Sequence, residues 1–107
     1  MTIKRVWRGW TTPENAEAYE NVLLGHVIPG IEGKNMPGFR GIEVLREDLG
    51  DEVEFQTVMT FESLDNVRAL HGDDYAVAYI PDKARAVLKR WDEVTRHYEL
   101  RASRMSS

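Results

Sequence analysis

The sequence predicts an α+β fold of the ferredoxin-like split βαβ kind: a four-stranded antiparallel sheet carrying its helices on one face. Three observations carry this expectation. Pro37-Gly38-Phe39-Arg40-Gly41 reverses the chain ahead of two strand-like runs that meet at Leu49-Gly50-Asp51. The elements alternate as strand, helix, strand, strand, helical segment, strand, with no linker, repeat or low-complexity stretch between them. The second strand of the hairpin puts Val53, Phe55, Thr57, Met59 and Phe61 on one face, apolar enough to receive helices, and Glu54, Gln56, Val58 and Thr60 on the other.

Taken in order, Ile3 to Thr11 reads as a strand rich in Val and Trp, with charges at Lys4, Arg5 and Arg8 and with Gly9 marking a close approach. Thr11 or Thr12 before Pro13-Glu14 is a helix start, joining a capping hydroxyl, an early proline and an acid at the positive end of the dipole. Ala16, Tyr19, Val22, Leu23, His26 and Val27 follow at helical spacing, and Pro29-Gly30 is the expected end. Ile42, Val44 and Arg46 alternate in the first hairpin strand. Ser63 caps a second helix with Leu64, Val67, Leu70 and His71 on one side and Gly72 as its stop. Asp73-Asp74 opens a short helical turn with Tyr75, Ala76, Tyr79 and Ile80 inward, and 82–91 reads as a further helix burying Val87, Leu88 and Trp91. The last strand, 93–101, alternates Val94, Tyr98 and Leu100 with Thr95, His97 and Glu99.

At 107 residues the expectation is one domain over 1–101 with a frayed tail at 102–107. A chain of this size gains from a second copy that helps to bury its apolar surface. The mixed face of Gln56, Val58, Thr60, Thr95 and His97 is the expected interface of a homodimer. A net charge of −4 without a block of Lys or Arg argues against nucleic acid as a partner. No apolar run approaches the roughly 20 residues of a membrane span, and the polar start has no signal-peptide pattern, so no membrane partner and a cytoplasmic location are expected. The absence of cysteine removes disulfides, thiolate nucleophiles and thiolate metal sites.

Val6-Trp7-Arg8-Gly9, the Pro37–Gly41 turn, Phe61-Glu62-Ser63-Leu64 and Arg96-His97-Tyr98-Glu99 together, in this order and spacing, resemble the antibiotic-biosynthesis-monooxygenase-like family of dimeric α+β barrels. The resemblance runs from about Ile3 to Leu100 and points to a small, poorly characterised bacterial branch. It implies a dimeric α+β barrel. For activity it implies a range: cofactor-independent oxygenases of polycyclic aromatic substrates, haem-degrading enzymes, and members with no known activity. The haem-degrading pattern has Asn on the first strand, Trp in the helix after the third, and His about ten residues on. Here those places hold Trp7 or Arg8, Leu70, and Tyr79 or Ile80, which counts against haem degradation.

The candidate chemistry rests on side chains that hold or move protons. His71, near Tyr75 and Tyr79, would serve proton transfer on a phenolic or quinol substrate; its bland alternative is a helix-terminal histidine favoured by the dipole. Arg8 on a central strand needs a partner, either a carboxylate such as Glu43, Glu54 or Glu99 or an anionic substrate oxygen. His26 would point into any pocket between helix and sheet. Trp7, Trp10, Tyr19, Tyr75, Tyr79 and Trp91 could wall a site for a flat ligand or simply fill the core. The three histidines lack metal-ligand spacing, and no phosphate loop, dinucleotide fingerprint or nucleophile elbow is present, so no metal and no cofactor are expected. Two functions fit: a cofactor-independent monooxygenase of a small aromatic or quinol-like molecule, or a non-catalytic small-molecule-binding or stress-related dimer.

Overall fold

A computed structural model describes residues 1–106, apart from the side chain of His71. The expected role of that side chain therefore lies outside the described residues. The fold is α+β. Strand β1 (Ile3–Thr11) lies between β3 (Val53–Phe61) and the C-terminal strands β4 (Arg90–Trp91) and β5 (Arg96–Glu99), while β2 (Phe39–Asp48) forms the far edge beside β3. All pairings are antiparallel. β4 and β5 occupy one lane along β1, so the sheet is four lanes wide with its last lane interrupted, Gly9 facing Trp91 and Val6 facing Arg96.

The hairpin turns as expected. Leu49 N–H donates to the Glu52 carbonyl at 2.8 Å and Gly50, at φ 94°, takes the left-handed conformation that glycine adopts without strain. Arg40 is an extra residue in the ladder, since Phe39 faces Phe61 but Gly41 faces Thr60, and this bulge twists the start of β2. Gly9 is indeed a point of close approach: a Cβ there would stand 2.6 Å from the Trp7 ring and 3.0 Å from Leu88.

On the helix side, Thr12 rather than Thr11 caps the chain after β1, its Oγ1 accepting from Asn15 N–H. α1 (Ala16–Val22) follows, then a π-helical stretch over Leu23–Val27, then α2 (Ile28–Glu32). The helix does not stop at Pro29. Proline has no N–H and its ring collides with the carbonyl four residues back, and the wider π turn lets the chain absorb both before it resumes. α3 (Leu64–His71) is capped by Ser63, whose Oγ accepts from Asn66 N–H.

The segment after α3 departs from expectation. The chain turns at Tyr75-Ala76 and then bridges Val77 to Val94, and Tyr79 is 85 % exposed rather than turned inward while only Ile80 is buried. The next helix, α4 (Asp82–Arg85), is short, and Trp91 belongs to β4 instead of to that helix.

The core is two clusters beneath the helices. Tyr19, Leu23, Val53, Phe55, Ile80, Ala84 and Leu88 form one, with Tyr19 edge-on to Phe55 at 5.0 Å. Met36, Phe61 and Val67 form the other, joined by Phe39, Met59, Leu64 and Leu70. The strand face expected to receive helices, Val53 to Phe61, does so. Among the described residues no helix covers the opposite face. Among the described residues no helix is long and apolar enough to cross a membrane.

Candidate functional site

Between the two clusters the helices and the sheet leave a cavity of about 360 Å³. β1 contributes Arg5 and Trp7, and β2 and β3 contribute Ile42, Thr57 and Met59. The first helix supplies Tyr19, Leu23, His26 and Val27, and Tyr79, Ile80 and Thr95 close the far side. The volume lies at the lower end of ordinary small-ligand sites, and the walls are predominantly apolar with a few polar groups, the usual composition of such a site.

Its polar feature is Arg5. Arg5 as a residue is 6 % exposed, and its Nη1 donates to the Tyr75 carbonyl at 2.5 Å and to His97 Nε2 at 2.9 Å. Both partners are acceptors without a carboxylate charge, and among the described residues no Asp or Glu pairs with Arg5. Burial pushes its guanidinium below the ordinary value, but arginine stays protonated in a protein, so the charge remains. Because Arg5 can only donate, His97 must accept at Nε2, and a neutral ring then carries its proton on Nδ1. The His97 ring also stands edge-on to Tyr75, with centroids 5.0 Å apart.

The remaining polar groups are weaker candidates. Thr95 Oγ1 donates to the Ala76 carbonyl at 3.2 Å. Burial pushes the Tyr19 phenol well up, so at neutral pH it can donate a hydrogen bond but does not serve as a phenolate base. His26 and Tyr79 line the cavity from exposed positions on its rim. Among the described residues no three His, Asp or Glu side chains gather as a metal would require.

Of the expected catalytic and ligand-binding residues, the structure brings Trp7, Tyr19, His26 and Tyr79 to this cavity and leaves Arg8, Trp10, Tyr75 and Trp91 elsewhere. Arg8 points to the opposite face of the sheet, where its Nε donates to Asp92 Oδ2 at 2.9 Å; its partner is a carboxylate, though not one of the three expected. Trp10 lies on that same outer face, with Arg90 3.9 Å and Arg8 5.2 Å from its ring. Trp91 packs under Arg85 against the core, and Tyr75 gives the site only its carbonyl. Neither tryptophan nor the Tyr75 ring lines the cavity, because strand alternation and the short α4 send them elsewhere.

Two residues of the expected interface are corrected as well. Gln56, Val58 and Thr60 do lie on the uncovered face, opposite Arg8, Val6 and Lys4. Thr95 and His97 lie on the helix side: His97 faces Arg5 across the ladder, and Thr95 is buried beside the cavity. Arg5 escaped the sequence reading, though it shares strand parity with Ile3, Trp7 and Gly9, the inward set, and alternation alone would have placed it.

No family model matches this sequence, and no curated protein does. Solved structures do. The fold matches that of a protein from Bacillus cereus described provisionally as an antibiotic biosynthesis monooxygenase, with a TM-score of 0.70 at 11 % identity over 100 % of this chain and 98 % of that one. SnoaB, a cofactor-independent oxygenase from Streptomyces nogalater, matches with a TM-score of 0.61 at 17 % identity over 95 % of each chain. The haem-degrader MhuD of Mycobacterium tuberculosis, solved with two haems in its active site, matches with 0.60 at 21 % identity over 98 % of this chain and all of the other.

Proposed function

We propose that this chain, which has the fold of the antibiotic-biosynthesis-monooxygenase-type proteins, is a homodimeric, cofactor-independent oxygenase of a small aromatic or quinol-like molecule. The observation that carries the reading is the 360 Å³ cavity, its walls largely apolar and partly aromatic and its polar groups few. The fold shared with SnoaB supports the reaction class.

The chemistry asks little of the protein. Removing a proton from an activated ring carbon gives a carbanion able to donate electrons to dioxygen. Collapse of the resulting peroxide turns a CH2 group into C=O, with one oxygen atom in the product and the other in water. The chain must bind a flat ring, exclude water and move one proton. Trp7, Tyr19 and Met59 provide the walls, and Tyr79 and His26 on the rim are the proton-handling groups, with His71 at the end of α3 a further candidate.

The uncovered sheet face supports the homodimer. It carries Val6 and Val58 half-buried, and leaves Leu45 at 50 % and Tyr98 at 49 % exposure around the Arg8–Asp92 pair. A second copy of the same face would cover these groups. Haem degradation has less support: at the place of its Trp, Leu70 packs against the second cluster, and at the place of its His stands Tyr79, exposed, or Ile80, buried in the first.

A binding protein without turnover is the second reading. It is favoured by the rim positions of His26 and Tyr79, which leave the interior without a described base. Oxidation of a quinol and anthrone-like panel under oxygen, followed by product analysis, separates the two. An oxygenase converts at least one member, and Tyr79→Phe or His26→Gln slows it at least tenfold. Equal turnover in all three proteins removes these acid–base roles, and tight binding without conversion leaves the binder.

A further inference from the structure

The cavity holds a charge that no carboxylate among the described residues of its walls neutralises. Leaving an arginine unpaired inside a protein is costly, and buried guanidinium groups ordinarily meet a carboxylate. Arg5 instead meets a carbonyl and an imidazole nitrogen, both at Nη1. Its Nε and Nη2 edge makes no hydrogen bond among the described residues, although Arg5 is 6 % exposed and lines the cavity. That edge is the one a planar oxyanion engages with two parallel hydrogen bonds.

The neighbours hold the group in place. The Tyr75 carbonyl and His97 Nε2 fix Nη1 from one side, and Trp7 stands two residues along the same strand face. Lys34 also lines the cavity and adds positive charge, while none of the described residues lining it is an Asp or a Glu. The remaining wall is apolar, with Leu23, Val27, Ile31, Met36, Ile42 and Met59.

We infer that the ligand of this cavity is an acid: a flat apolar ring bearing an oxyanion that sits on the Nε and Nη2 edge of Arg5. The inference rests on the reading that the cavity binds an aromatic molecule, and it adds the ligand's charge. A carboxylate and an ionised phenol or enol share this chemistry. In the oxygenase reading the phenolate or enolate form makes Arg5 the group that stabilises the electron-rich state which reacts with oxygen.

Calorimetry with 2-naphthoate, 2-naphthol and the neutral 2-naphthalenemethanol tests it, on wild type, Arg5→Gln and Arg5→Lys. A charge-assisted pair away from water is worth about 1.5–3 kcal/mol, roughly tenfold or more in affinity. Wild type should prefer naphthoate to the alcohol by at least about tenfold if the ligand class is a carboxylate. If the class is a phenolate, it should bind 2-naphthol as the anion, read from the naphtholate absorbance at a pH where free naphthol is neutral. Arg5→Gln should erase the preference, and Arg5→Lys should keep part of it.

The wild-type comparison needs no variant and survives a folding failure of either one. Equal affinity for naphthoate and the alcohol, with naphthol bound neutral, overturns the acid inference and leaves aromatic binding standing. A preference that persists in folded Arg5→Gln also overturns it. Failure of all three probes to bind wild type overturns both readings.

Discussion

Arg5 and Arg8 lie three residues apart on one strand and meet opposite surroundings. Arg8 faces outward, half-exposed and paired with Asp92, and its hydrogen bond to that carboxylate holds its pKa above the ordinary value. Arg5 faces the helices, buried, held by a carbonyl and an imidazole, and burial pushes its pKa down. The first is a satisfied structural charge. The second is a charge awaiting a counter-charge, which is the more informative of the two about function.

The two faces of the sheet differ in the same sense, and truncation should expose the difference most strongly. Phe55 has no exposed surface and packs on Tyr19, whereas Val58, on the other face of the same strand, is half-buried. Phe55→Ala should cost about 3–5 kcal/mol in chemical denaturation at any protein concentration. Val58→Lys should act mainly through association, lowering the sedimentation mass from dimer to monomer. A wild type that sediments as a monomer would leave the uncovered face as plain surface and remove the homodimer.

A smaller effect separates surface charge from cavity charge. Glu52, at the hairpin turn, is held down to about 2, first by the Arg90 hydrogen bond and then by Lys89. A carboxyl lowered in the folded state contributes stability above its unfolded pKa, and that contribution fades as the pH falls towards the folded value. Glu52→Gln should therefore lower Tm modestly near neutrality, with the two melting curves converging between about pH 4.5 and pH 2. A gap that stays constant across that range would show that the pair contributes through packing rather than charge.

The last strand shows where sequence reasoning reached its limit. The hairpin, β1 and the capping residues Thr12 and Ser63 were legible because local chemistry and regular alternation agree there. In β5 the alternation was visible but its polarity was inverted: His97 faces inward towards Arg5, while Tyr98 is 49 % exposed. The rule that apolar residues turn inward fails here because a buried arginine on the neighbouring strand takes the imidazole as its hydrogen-bond partner. That inversion also explains why Thr95 and His97 were expected at the interface. Arg8 attracted attention as the charge on a central strand, but its register opposite Gln56 places it outside the cavity. The bridge at Val77 had no local signature, because it depends on pairing with residues 93–95.

Calorimetric titration of 2-naphthoate into Arg5→Gln and Arg8→Gln, side by side, tests the central contrast most directly. The structure predicts a loss of about tenfold or more for the first and wild-type affinity for the second. The reverse pattern, with Arg8 controlling binding and Arg5 without effect, would move the ligand to the open face and contradict the cavity as the site.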